Sequence, residues 1–362
     1  MSNYQKKVVY VLGTKAQFIK CKHILLNLIK NNVKIYIVDT GQHRQLTQKE
    51  LKNSGLVFEY INLTNSQNNI SSVFQMIIWF IKLIFFRLKI ENPTSFSLCL
   101  IHGDTVSTLI GLILSKKNKI KTVHIEAGYN SYNIFKPFPE EIIRNIVSKF
   151  SDILVVDGET QLKNVEKYKN SKTIIQISRN TIYDAVTNIN FKANKNFKNV
   201  LSVTVHRTEN LYDFKKLNLL IEMLVQISKN NSFDSIRWFC HDVTYKLLIK
   251  KKLIKKLQDE KIIIKKLVQH EEFISELINS KLVITDGGSI AEECSILGIN
   301  TVIWRDVVEN LNYLSSNVIL SEYNLDLVYS FIKNIPDEKF NNNITLSSSP
   351  SKQLASQLIN YL

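Results

Sequence analysis

The sequence predicts an α/β protein made of two similar halves, each a parallel sheet covered by helices. Three observations lead there. Short apolar, β-branched runs alternate with stretches of helical spacing along most of the 362 residues. Those runs are continuous rather than alternating, as strands buried on both faces require. A polar, Lys/Asn-rich stretch from Asn188 to Asn199 separates two such series, in a chain too long for one ordinary core. The expected domains are therefore 1–187 and 188–349, followed by a closing helix over 350–362.

In chain order, Val8 to Leu12 reads as a strand closed by Gly13-Thr14, with helical spacing from Phe18 to Leu28. The turn can offer amides to an anion, although a tight entry into a helix explains its lone glycine equally well. Lys34 to Val38 is the next strand. It runs into Asp39-Thr40-Gly41-Gln42-His43-Arg44, whose composition reads as a solvated loop. Ser72 to Leu88 is the most apolar stretch; Gln75, Lys82 and Arg87 interrupt it, so a buried or interfacial helix is expected rather than a span.

Ile101 to Arg144 organises the first half. The strand Ser97 to Ile101 delivers His102-Gly103-Asp104, and Thr122 to Ile125 delivers Glu126-Ala127-Gly128. The segment Glu140 to Phe150 has Glu140 and Glu141 at its start and Arg144 one turn on, which suits a helix amino terminus with its ion pair. Acids at the carboxyl ends of parallel strands line the crevice where ligands bind, and gathering several there is costly unless they do chemistry or meet a cation.

In the second half, Val200 to Val205 ends in His206-Arg207, and Phe239-Cys240-His241 closes a further strand. Leu282 to Thr285 enters Asp286-Gly287-Gly288-Ser289, with a helix from Ile290 that carries Glu292 and Glu293 in its first turn. A glycine pair between strand and helix lets the backbone approach a phosphate. Thr301 to Trp304 reads as the last strand and Ser351 to Leu362 as an amphipathic helix. Two halves with polar strand ends imply a cleft between them, the phosphate site lying in the second.

The net charge of +15 sits largely in Lys-rich surface stretches such as Lys246 to Lys266. These lack the aromatic interleaving of a base-stacking surface, so no nucleic-acid partner is expected, while anionic substrates and membrane surfaces are attracted. Cys21, Cys99, Cys240 and Cys294 form no CxxC, and no charged-then-apolar leader opens the chain, which reads as a reduced cytoplasmic protein. No HExxH or paired cysteine ligands appear, so no metal is expected.

The segments GTKAQFIK, TGQHR, HGDT, HIEAG, FPEEIIR, VTVHRTEN, TDGGSIAEE and WRDVVEN occur in the order, and at about the spacing, of the non-hydrolysing UDP-N-acetylglucosamine 2-epimerase family, which the chain resembles over nearly its whole length. The QFIK and HRTEN details are similar to the branch acting on UDP-diacetamido-glucuronic acid. The resemblance implies two Rossmann-like domains facing across a cleft in the GT-B manner, a homodimer, and a final helix that returns to the first domain. It matches Asp104, Glu126 and Glu140 to catalytic acids and His206 to a catalytic histidine near the diphosphate. Lys15, Lys20, Arg144 and His241 match residues near the nucleotide sugar; Phe273 matches a ring on uracil, Glu293 a ribose ligand, and Gly287, Gly288 and Ser289 the diphosphate turn. Gln42, His43 and Arg44 fall where some members bind a second, activating UDP-sugar. Departures are Lys15 for an arginine, the order Gly287-Gly288-Ser289 for SGG, Asn130 and Asn310 for arginines, and Arg179 for a glycine.

The implied chemistry explains the acids. A C2 hydrogen of an N-acetylhexosamine is not next to a carbonyl, and the chain carries no nicotinamide fingerprint, so no cofactor is expected. Elimination remains: a base takes the C2 proton as UDP leaves C1, and UDP re-adds with the proton returned to the opposite face. The expected product is a ManNAc-type sugar for surface polysaccharide synthesis. The alternative is a GT-B glycosyltransferase, or a hydrolysing relative, that kept the UDP-sugar site. The apolar 72–88 stretch and basic charge favour that alternative and a peripheral membrane association, whereas the acids and His206 favour epimerisation.

Overall fold

The computed structural model describes residues 6–64, 73–84, 96–133, 138–189, 198–308, 314–336 and 349–362. The chain divides into two compact units, Met1–Ala185 with Leu346–Leu362, and Val186–Thr345. In the first, β1 (Lys7–Leu12), β2 (Lys34–Asp39), β3 (Glu59–Asn62), β4 (Leu98–His102), β5 (Lys121–Ile125), β6 (Ile153–Val156) and β7 (Thr173–Gln176) form one sheet. Its order is β3-β2-β1-β4-β5-β6-β7 and its pairs are parallel. The second unit holds β8 (Lys198–Thr204), β9 (Ser235–Cys240), β10 (Ile262–Lys266), β11 (Ser280–Thr285), β12 (Thr301–Ile303) and β13 (Val318–Leu320). Their order, β10-β9-β8-β11-β12-β13, repeats the first six positions of the other sheet, again in parallel. Both are Rossmann-like, and the strand order reverses beside β1/β4 and β8/β11, where such sheets open a crevice.

Strand alternation assigns the cores. Val8, Tyr10 and Leu12 enter the cluster under helix Lys15–Lys30, while Val9 and Val11 face the opposite layer with Ile110 and Leu114. Thr14 caps that helix in a reciprocal box with Gln17, so it begins a turn before the apolar spacing. Helix Pro350–Ile359 returns to the first unit. It packs Leu354, Ala355 and Leu358 into the cluster shared with Leu25 and Leu28, and the Ser351 amide donates to Asp184 Oδ2 at 2.7 Å.

Several expectations needed correction. Trp304 is not in the last strand: β12 ends at Ile303 and β13 follows. Helix Gly288–Ile296 starts two residues before Ile290, so Glu292 and Glu293 lie in its second turn. Helix Val73–Ile84 is not uniformly buried: Trp79 and Leu83 pack inward, while Ile77, Ile78 and Ile81 are exposed. Among the described residues no helix is long and apolar enough to cross a membrane. Asn310, most of the 188–199 stretch, Ser72 and the end of the apolar segment beyond Ile84 lie outside the described residues.

Candidate active site

Asp104 and Glu126 stand just past the carboxyl ends of β4 and β5, each with a cation. Glu126 follows β5 in the left-handed region, φ 67°, a conformation costing a non-glycine residue about 1 kcal/mol or more. Its two oxygens explain why it stays there. Lys20 Nζ donates to Oε1 at 2.6 Å, and His102 Nε2 lies 2.9 Å from Oε2, at ion-pair distance but off hydrogen-bond alignment. Burial opposes ionisation of this carboxyl, yet Lys20 and His102 together hold it well below the usual carboxylate range. Lys20 reaches it because helix Lys15–Lys30 is tied to the β4 end: Gln17 Nε2 donates to the His102 carbonyl at 2.7 Å and to Thr105 and Thr108.

Arg144 unites the other two acid positions. From helix Glu140–Phe150 it donates to Glu141 at 2.5 Å and to Asp104 beyond β4. Glu141 is buried and also accepts from the Ser131 amide and hydroxyl, so the Glu140/Glu141 pair divides: Glu141 braces the loop, and Glu140 remains half-buried. Under this layer His124 Nε2 meets the Gly103 carbonyl at 2.8 Å; burial pushes its pKa down to about 4, so the imidazole is a neutral prop. Lys15 points elsewhere, to Glu50 at 3.0 Å.

The turn after β2 is not the solvated loop its composition suggested. Asp39, Thr40 and Arg44 are fully buried. Asp39 accepts from the Gly41 amide and Tyr60, while Arg44 donates to the Thr64 carbonyl, Thr64 Oγ1 and Asn62. Ser107 bridges Thr40 and Gln42, at 2.8 and 2.6 Å, in space that a Cβ on Gly13 would occupy. Trp79 Nε1 donates to the Thr40 carbonyl. The polar side chains find their partners inside the unit, which is why polarity misled; burial also pushes His43 down.

The second unit builds its site across the β8/β11 reversal. Asp286, fully buried after β11, accepts from the His206 amide through both oxygens at 3.0 Å, from the Arg207 amide at 2.8 Å and from Asn210 Nδ2 at 2.9 Å. Burial would raise its pKa, but these donors, His206 foremost, lower it. The His206 ring is about one-third exposed, with Nδ1 3.1 Å from Asp286, and lies 4.5 Å from the His241 ring. Gly287 caps helix Gly288–Ile296; a Cβ there would stand 3.3 Å from His206 Cε1, so the missing side chain leaves the imidazole its place. Gly288 and Ser289 form the first helical residues, their amides at the positive end of the helix. Glu293, one turn on, is buried and meets His270 Nε2 at 2.6 Å. Phe273 does not present a face to a base: it is 4% exposed and packs edge-on against Phe239.

In the sequence, no motif gives His102, Asp157, Asn210, His270 or Asp286 a role of its own. His102 and Asp286 stood inside the quoted strand-end motifs, and Asp157 directly follows β6, so their signal was the strand end itself. Asp157 accepts from Tyr129 Oη at 2.8 Å and Asn180 Nδ2 at 2.7 Å, and its buried Oδ1 has no hydrogen-bond partner among the described residues. His270 carried no signal, being 23 residues from its partner. Among the described residues no cluster of three or more metal-ligating side chains occurs.

The sequence profile described as UDP-N-acetylglucosamine 2-epimerase matches residues 27–345. A UDP-N-acetylglucosamine 2-epimerase of Methanococcus maripaludis is 30% identical over 333 residues, 86% of this chain and 86% of the relative. One from Campylobacter jejuni is 26% identical over 87% of this chain and 85% of its own. In structure, the Methanocaldococcus jannaschii UDP-GlcNAc 2-epimerase in complex with UDP-GlcNAc and UDP superimposes with a TM-score of 0.82 at 24% identity, covering 98% of this chain and all of the other. The Neisseria meningitidis enzyme bound to UDP-GlcNAc gives 0.79 at 22%, with the same coverage.

Proposed function

The chain belongs to the UDP-N-acetylglucosamine 2-epimerase family, and we propose that it inverts C2 of UDP-N-acetylglucosamine or a close UDP-N-acetylhexosamine. The observation that supports the reading is the placing of Glu126 with Lys20, and of Asp104 with Arg144, at the ends of β4 and β5, with Glu140 opening the helix that carries Arg144. A C2 hydrogen without a neighbouring carbonyl yields only if its electrons have somewhere to go. As a carboxylate takes the proton, the C2–H pair becomes the C1–C2 double bond and the C1–O pair leaves with UDP. Re-addition of UDP to C1 returns a proton to C2 from the other face, giving the manno sugar for polysaccharide synthesis.

The departing diphosphate gains charge as the bond breaks. His206 and His241, with the amides of Gly287, Gly288 and Ser289 at a helix amino terminus, would stabilise it there. Glu293 would take the ribose hydroxyls. Lys20 holds Glu126 ionised, and Arg144 sets the direction of Asp104. Lys15, engaged with Glu50, and Phe273, turned into the core, take no direct part in this reading; Gln42, His43 and Arg44 serve the interior of the first unit rather than an effector. The exposed Ile77, Ile78 and Ile81 suit a second copy of the chain, with an anionic membrane surface as the alternative cover.

Incubation with UDP-N-acetylglucosamine in deuterated water tests the reading. Deuterium at C2 of the recovered UDP-sugar, with manno product, is the expected result. A sugar unlabelled after turnover, across several UDP-hexosamines, would point to transfer or hydrolysis instead.

A further inference from the structure

We infer that His270 is a positioning residue of the nucleotide subsite: it fixes the Glu293 carboxylate so that its other oxygen takes the ribose diol of a uridine nucleotide. The inference rests on the reading of the chain as a UDP-sugar enzyme. His270 opens helix His270–Ile278, and its Nε2 lies 2.6 Å from Glu293 Oε1. An ionised carboxylate only accepts, so Nε2 is the donor. Glu293 is 3% exposed, and a buried carboxylate without a donor is costly to keep charged. Among the described residues Oε1 is engaged by His270 and Oε2 accepts no hydrogen bond.

Position supports the assignment. Glu293 stands five residues beyond Gly288 on one helix, about 7 Å along the axis at ~1.5 Å per residue. A ribose follows the diphosphate in any nucleoside diphosphate, so a carboxylate one step along from a phosphate-binding turn is placed for a cis-diol. Two hydroxyl donors are held best by a charged acceptor. His270 itself stays behind, its side chain 12% exposed. Its helix is fixed from below by Phe273 and Ile274, both buried, with the Phe273 ring against Phe239. The histidine therefore acts through Glu293 and not on the ligand.

The test is calorimetric titration of UDP, uridine and inorganic pyrophosphate into the wild type, His270→Ala, His270→Leu and His270→Gln, with thermal melts as a check on folding. His270→Leu fills the space without a donor and carries the test should the alanine variant unfold. Loss of one charge-assisted hydrogen bond predicts about tenfold weaker UDP and uridine binding in the Ala and Leu variants. Pyrophosphate should bind unchanged, and glutamine should restore most of the loss. In turnover, KM for the UDP-sugar should rise while kcat holds. Wild-type UDP affinity in His270→Leu, or an equal loss for pyrophosphate, overturns the role. A wild type that binds no UDP at all sinks the UDP-sugar reading instead.

Discussion

Asp286 holds His206 chiefly by its main chain: both carboxylate oxygens lie 3.0 Å from the His206 amide, and the imidazole Nδ1 is a further 3.1 Å contact. The two residues end β8 and β11, neighbours where the strand order of the second sheet reverses. A fully buried carboxylate thus sets both the backbone and the ring of the histidine proposed to face the diphosphate.

Asp286→Asn should therefore damage turnover through His206. An asparagine keeps one acceptor but turns an NH2 toward main-chain N–H donors, so the local turn must shift. Losing hydrogen bonds to a charged acceptor costs roughly 1.5–3 kcal/mol, enough for about a tenfold to hundredfold fall in kcat/KM. His206→Ala should abolish turnover and leave the melting temperature near wild type, since its ring is partly exposed. Steady-state kinetics beside thermal melts check both; near-normal activity in His206→Ala would remove its proposed role.

Glu126 makes a prediction about acid stability. Its pKa, ordinarily 4.5, is held down in the folded state, after burial is offset, by Lys20 and His102. The folded form then binds fewer protons than the unfolded one. Its contribution to stability is complete above 4.5 and is lost as pH falls below that value toward the folded pKa. Glu126→Gln lacks that loss. Urea unfolding between about pH 3 and 6 should show wild-type stability falling more steeply on acidification than the variant's. Parallel curves would mean that Lys20 and His102 do not stabilise the charge. Lys20→Met should raise the folded Glu126 pKa back toward 4.5 and so shrink that fall.

The sheets were legible because their strands are continuous apolar runs, and β1, β4, β5, β8 and β11 all end in the motifs that supply site residues. What escaped were edges and partners. β3 is largely exposed and β13 only three residues long, so neither shows the pattern of a buried strand. Asp39 and Arg44 read as surface because composition reports polarity and not the acceptors Asn62 and Thr64 that arrive from another strand end. Phe273 has the right residue type for a base platform, yet Phe239 from β9 occupies its ring. Long-range pairs such as Lys20 with Glu126 are fixed only once helix and strand are docked.

Asp157 carries the opposite sign to Glu126. Burial, then the nearby Glu126 charge, push its carboxyl up from 3.8 to about 6, against the hydrogen bonds from Tyr129 and Asn180. The folded state here binds the proton more tightly than the unfolded chain. This group's favourable contribution is therefore present below 3.8 and is lost as pH rises through about 6. Asp157→Asn keeps an acceptor for Tyr129 and Asn180 and removes the titration. The variant should gain on wild type as pH rises from about 4 to 6, by roughly 3 kcal/mol in full, and the gap should then stay level to pH 8. Because both proteins share every other titrating group, the difference between their urea midpoints isolates this carboxyl. A gap that does not change with pH would mean that Asp157 is ionised as easily in the fold as outside it.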